Sequence, residues 1–422
     1  MTFLNRFPII AVLVAAVALT AYAGTKAELV RGAVSTDDAE RAASIAGLRA
    51  AGYEGLDALL DGYAAEIAAF RADGTVGPDW PRIAFAIDSV AMQRNAYASG
   101  LYWHTDLDQA LAEAKLRNRP VLSLRMLGNL NEEFSCANSR FFRALLYSDA
   151  SISQYLRQNF VLHWRSVRPV PKVTIDFGDG RKLERTLTGN SIHYILSEDG
   201  ELIDALAGLY DPASFKAYLQ RARDFTSTLS GGARRAAAIG SYRAAIFDTV
   251  RARRTKAVGD AKVKLVETAP AGTAPLEIAP LAVTKAITEA PIIRDLDDNF
   301  SRFEPRIATD EWKRLAAANI PEVRLHNSSV AFIRRQNPSM AQPEFDRMIV
   351  ELKKLVAIDS TRNEFLFHPQ LLGRMNRAGA KPALEAFNSS VYNDLFRTPD
   401  SDKWLGLYSD GIYTGLDGNG VR

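Results

Sequence analysis

Cys136 is the only cysteine in 422 residues, and it opens the stretch Cys136-Ala137-Asn138-Ser139 ahead of the helical pattern SRFFRALLYSD. A cysteine at a helix N-terminus feels the positive end of the macrodipole and the free amides of the first turn. Both favour thiolate, the species that attacks disulfides and peroxides. Ser139 lies one turn on and on the same face, where its hydroxyl can donate to the sulfur, and Arg125 and Arg140 can add positive potential. With one sulfur there is no second thiol to resolve a mixed disulfide, so release requires an outside thiol. The competing interpretation is a small buried apolar side chain, a frequent fate of cysteine. Both stand at this stage, and whether the chain is an enzyme stays open.

Other reactive residue types do not assemble into a site. His104, His163, His193, His326 and His368 have no metal-ligand spacing, and one cysteine cannot build a zinc centre. His193 alternates with Ile192 and Tyr194 on an expected strand, and His163 sits beside Trp164; both read as satisfied structural histidines. No Gly-x-Ser-x-Gly elbow occurs, which argues against a serine hydrolase of that kind. The C-terminal DGNG lacks a distal glutamate at calcium-loop spacing. No cofactor is expected. Trp103, Phe141, Phe142 and Tyr147 are expected in the core. A net charge of +3 implies no nucleic-acid partner, and RARRTK (251–256) reads as a solvated helix face.

The N-terminus has the form of a secretory leader. Arg6 precedes the apolar run IIAVLVAAVAL, and Ala21 and Ala23 stand at the −3 and −1 positions of a cut before Gly24. The run is short for a membrane span, and no cysteine follows it to take a lipid. The expectation is a periplasmic or secreted protein, membrane-bound only if the leader (1–23) is retained.

Positioning elements follow from periodicity. Residues 24–100 read as helical: Leu56, Leu59, Leu60, Tyr63, Ile67 and Phe70 form one stripe, and Ile83, Ile87, Val90 and Met92 a second. From 101 to 228 the order is αβ(αα)β, a hairpin, then ββα. TDLDQALAEAK is a helix capped by Thr105 or Asp106, with Leu107, Ala110, Leu111 and Ala114 inward. VLSLRML, FVLHW, IHYIL and ELIDALAG are strands, KVTIDFGDGRKLERTL is a hairpin, and a final helix starts at Pro212. Residues 229–295 comprise a helix (232–255) and a Pro/Ala-rich connector, and 296–422 is mostly helical with a turn-rich tail.

The segment 101–226 resembles the thioredoxin-like superfamily. The resemblance is carried by YWHTDLDQALAEAKLRNRPVLSL, by the cysteine at the next helix head, by LYSDASISQYLRQNFV, and by ILSEDGELIDALAGLYDPASFKAYL. It implies an α/β thioredoxin-like central domain between mainly α-helical N- and C-terminal regions. It also implies that Cys136 and Ser139 hold the place of the family's Cys-x-x-Cys pair, with the second sulfur replaced. Ser191, preceded by Asn190, holds the place of the family's cis-proline in the substrate-docking turn. The implied partners are protein thiols or disulfides, and the implied alternative is a non-enzymatic module that keeps the fold for docking or assembly.

Overall fold

A computed structural model describes residues 25–186, 189–229, 231, 234–263, 309–396, 398, 401 and 403. The expected leader, the Pro/Ala-rich stretch 264–295 and the DGNG tail lie outside these residues. The chain divides into two compact units, one up to Trp103 and one from His104 onward. Among the described residues no helix is long and apolar enough to cross a membrane.

The first unit is helical: α1 (Lys26–Gly32), α2 (Asp38–Ala50), α3 (Tyr53–Gly62), α4 (Ala64–Asp73) and α5 (Trp80–Ala91). Thr25 and Glu28 form a reciprocal capping box at α1, and the Asp37 side chain caps α2. Leu48, Leu56, Leu59, Ile67, Ile83, Ile87 and Val90 are buried. The expected single stripe is split, because Tyr63 leaves helical geometry at φ −120° between α3 and α4. Met92 also leaves its stripe; it takes the left-handed C-cap of α5 at φ 53°. Buried polar groups here include a short chain, with Trp103 Nε1 donating to Gln93 Oε1 at 2.8 Å and Gln93 Nε2 to Ser99 Oγ at 2.8 Å.

The second unit is built on a mixed sheet. Its strands are β1 (Trp103–His104), β2 (Val121–Leu127), β3 (Val161–Arg168), β6 (Ser191–Leu196) and β7 (Leu202–Ala207), in the order β1-β3-β2-β6-β7. β4 (Lys172–Asp176) and β5 (Lys182–Thr186) form a separate hairpin. β3 runs parallel to β2, whereas β6 is antiparallel to β2 and β7 to β6. β2 is buried along its whole length, as its near-continuous apolar sequence requires of a central strand. β3 extends four residues past the expected FVLHW, because its polar end keeps pairing with β2 up to Arg168.

Helices pack on this sheet. α6 (Leu107–Arg117) is capped by Asp106, which accepts from Gln109 N at 2.8 Å; Ala110 and Ala114 are buried, while Leu107 and Leu111 are only half-buried. α7 (Ala137–Phe141) runs on as a π-helical turn through Phe142–Tyr147, followed by α8 (Ala150–Asn159). α9 (Pro212–Thr228) and α10 (Arg235–Ala261) come next in chain order. The remaining helices are α11 (Thr309–Asn319), α12 (Asn327–Gln336), α13 (Gln342–Arg362, continuing as a π turn to Phe367), α14 (His368–Ala378) and α15 (Leu384–Ser390, continuing to Leu395). These C-terminal helices share the compact unit with the sheet.

Strand register assigns the two faces. Ser123 pairs with His163 and Tyr194, and Arg125 with Arg165 and Ile192, so these side chains share one face. Leu124 pairs with Trp164 and His193, and Met126 with Ser166 and Ser191, on the other. α15 covers the first face, with Tyr194 Oη donating to Asn388 Oδ1 at 3.0 Å and Arg125 Nη2 to Glu385 Oε1 at 2.7 Å. The π turn after α7 and helix α9 cover the second, where Phe142 and Phe215 lie 4.6 and 5.2 Å from the His193 ring.

Candidate functional site

Cys136 follows β2 through a loop that turns at Gly128 (φ 70°) and returns to the strand end, where Cys136 N donates to Leu127 O at 3.1 Å. It is the N-cap of α7, with φ −57° and ψ 153°, and its side chain makes no capping hydrogen bond. Ser139 Oγ lies 2.6 Å from Ser135 Oγ and 2.8 Å from the Cys136 carbonyl, closing the first turn on itself. Arg143 ties down the loop by donating to Glu132 O at 2.8 Å and to Glu133 O at 3.2 Å.

The four residues singled out by sequence come together. Asn138 donates its side-chain amide to Gly189 O, which joins the helix head to the turn carrying Asn190 and Ser191. All four are buried, with Cys136, Ser139 and Ser191 at 0% exposure and Asn190 at 1%. The chain's own C-terminal segment packs against the turn that carries Asn190 and Ser191. Tyr392 Oη donates to Asn190 O at 3.3 Å, and Asn190 Nδ2 donates to Thr398 Oγ1 at 3.3 Å. Arg168 Nη2 holds Thr398 O at 2.5 Å. Ser191 Oγ and Asn190 Oδ1 find no hydrogen-bond partner among the described residues.

Electrostatics bear on the two readings that the sequence left open for the thiol. Burial pushes the Cys136 thiol up, and this outweighs the opposing hydrogen bonds from Ser139 and Leu127 and the charge of Arg140. Complete removal from water penalises the charged form strongly. Arg125 is also not where it was expected to act. It points to the opposite sheet face, with Nη1 2.6 Å from Ser123 Oγ and 3.2 Å from His163 Nδ1. Arg140 remains near the thiol and donates to Thr186 Oγ1 at 2.9 Å.

His193, His163 and His326 are each held by a hydrogen bond. His193 Nε2 lies 2.7 Å from Tyr147 Oη, and burial pushes its pKa down to about 3. His163 is likewise lowered to about 3, by burial first and then by Arg125, His104 and Arg165. His326 caps α12, its Nδ1 accepting from Ser328 N at 3.1 Å. Among the described residues no group of three His, Cys, Asp or Glu could hold a metal ion.

Periodicity missed a buried polar seam between β7, α9, α10 and the C-terminal helices. His368 Nε2 lies 2.8 Å from Asp204 Oδ1 with both side chains fully buried. Glu364, 1% exposed, accepts from Tyr218 Oη at 2.8 Å and Asn319 Nδ2 at 3.0 Å and pairs with Arg253 at 2.6 Å. The only sequence signal was charge inside apolar stretches such as Asn363-Glu364-Phe365-Leu366-Phe367. Gly208 lets the seam close: it has φ +74°, and a Cβ there would meet Asn363 Nδ2 at 2.5 Å. Gly208→Ala is expected to cost about 2–3 kcal/mol through left-handed strain and displacement of Asn363, whose amide donates to Leu209 O at 2.7 Å. Urea unfolding of the variant against the parent measures this.

A narrow, mostly apolar cleft lies beside α7, lined by Asn138, Phe141, Leu209, Leu352, Leu355, Val356 and Asp359; Cys136 does not line it. Phe141, expected in the core, is thus half-buried at its edge, while Trp103, Phe142 and Tyr147 are fully buried. The helix head as folded presents no nucleophile to solvent. Comparison with protein-family models, with curated proteins and with solved structures finds no match for this chain.

Proposed function

We propose that this chain is an exported, thioredoxin-like binding or assembly module in which the helix-head thiol is part of the core and not a redox catalyst. The observation that carries this is the complete burial of Cys136 beneath a docking turn already held by Tyr392 and Thr398. Disulfide exchange requires an in-line approach to sulfur by a second sulfur, and a thiol with no exposed surface offers none.

The thioredoxin-like assignment is supported by the order of parts. A central strand is followed by a helix with cysteine at its head, then by a parallel neighbour on one side. Two antiparallel strands complete the other side, with a helix after them. The leader pattern supports a periplasmic or secreted location. A single buried sulfur and a turn held by the chain's own Tyr392 and Thr398 support a role in binding or assembly over thiol exchange.

Thiol labelling tests this directly. In native buffer at pH 7.5, Cys136 is expected to react with iodoacetamide at least about a hundredfold more slowly than in denaturant, because access requires opening of the structure. Native labelling at the rate of a free thiol, or with a midpoint below about 8.5, would restore a thiol-based activity and overturn the proposal.

A further inference from the structure

The β4–β5 hairpin is a two-stranded ribbon outside the main sheet, and two strands alone are marginal in water. Its register pairs Lys172 with Thr186, Thr174 with Glu184 and Asp176 with Lys182. Phe177 N donates to Arg181 O at 3.1 Å across the turn, which fixes the phase of the ladder. In an antiparallel pair the hydrogen-bonded positions alternate. Phe177, Ile175 and Val173 therefore turn their backbone groups toward β5, while Asp176, Thr174 and Lys172 turn theirs outward. Among the described residues that outer edge has no strand beside it.

The outward row is complementary to itself. If a second copy of β4 is laid antiparallel about Thr174, Thr174 meets Thr174, Lys172 meets Asp176, and Asp176 meets Lys172. Every outward N–H and C=O finds a partner, and two opposite-charge pairs form. On the other face, where alternate residues are only half-buried, Val173 meets Ile175 beside the Leu183 of each copy. Each apolar row then runs through Leu183, Ile175 and the Val173 of the other copy, and ends at Arg185. The β5 edge fails the same operation, because pairing about Glu184 would oppose two carboxylates.

We propose that β4 is a homodimerisation edge, at which two copies of this chain join their hairpins into one four-stranded antiparallel sheet. The proposal does not depend on the state of Cys136, so it can fail or succeed apart from the function proposed above.

Sedimentation velocity on the mature chain from about 1 to 100 µM is the experiment, with Lys172→Asp, Asp176→Lys, the double reversal, and Thr174→Pro. The parent is expected to show a concentration-dependent dimer. Each single reversal sets like charges opposite each other twice and is expected to weaken it about tenfold. The double reversal re-forms both pairs between copies but loses the Asp176–Lys182 pair within the hairpin (3.3 Å), so it is expected to recover affinity well above either single reversal. Thr174→Pro removes an outward donor and the Thr174 Oγ1–Glu184 Oε1 bond at 3.3 Å but no backbone bond to β5, and is expected to abolish the dimer with the far-UV circular dichroism unchanged. A parent that stays monomeric to 100 µM overturns the proposal. So does a dimer indifferent to the single reversals, or one that the double reversal leaves as weak as either single one.

Discussion

Replacing Arg243 with methionine is expected to remove about 3–5 kcal/mol of stability, a large share of the ~5–15 kcal/mol typical of a folded domain. Arg243 is 1% exposed and donates only to oxygens of the chain itself. Its guanidinium reaches Leu202 O, Ile203 O at 3.4 Å, Met375 O at 2.9 Å and Gly379 O at 3.2 Å. It thereby covers the outer edge of β7 and supplies positive charge to the carbonyl end of α14, where the macrodipole is negative. Burial lowers its pKa to about 10, which leaves it charged at neutral pH. Methionine keeps much of the volume but leaves three buried carbonyls, and the part-buried one of Gly379, without that donor. Arg243→Lys keeps the charge without the fork that spans strand and helix, so it should recover only part of the loss. Guanidinium midpoints by circular dichroism measure both, and a loss below about 1 kcal/mol would mean that other groups satisfy this edge.

The second large effect is acid sensitivity well above the carboxylate range. His163 and His193 are held neutral, each lowered to about 3 with burial as the leading cause. In the unfolded chain each takes up a proton near pH 6.5. Their neutral burial therefore costs nothing above pH 6.5, and stability falls as pH drops from there toward 3. The slope is up to about 1.4 kcal/mol per pH unit for each histidine. At pH 5 the two together should remove about 4 kcal/mol relative to pH 7.5. Urea unfolding at pH 7.5, 6 and 5 tests the profile. His193→Phe, a ring placed among Phe142 and Phe215, should halve the slope. A flat profile between pH 7.5 and 5 would show that neither ring is buried neutral.

What the sequence by itself determined is local. The apolar run 121–127 marked a central strand, Asp106 and Pro212 marked helix starts, and the Gly-Asp-Gly at 178–180 marked the hairpin. Each depends on side-chain period, capping oxygens or turn glycines, which act within a few residues. The grouping of Cys136 and Ser139 with Asn190 and Ser191 was implied by the family resemblance, and the Asn138 bond to Gly189 O joins the two segments. Whether that group met solvent was not legible. The residues that close it, Tyr392 and Thr398, come about 250 positions after the cysteine, and burial is a sum over everything packed nearby. The same holds for Arg243, Glu364 and His368. Periodicity assigns charged and polar residues outward, and only the tertiary structure supplied the carbonyls, phenol and carboxylate that let these three lie inside. The thiol's protonation state was decided the same way, because loss of water around sulfur outweighs the hydrogen bonds and the Arg140 charge that favour thiolate, and no stretch of sequence records how much water a fold excludes.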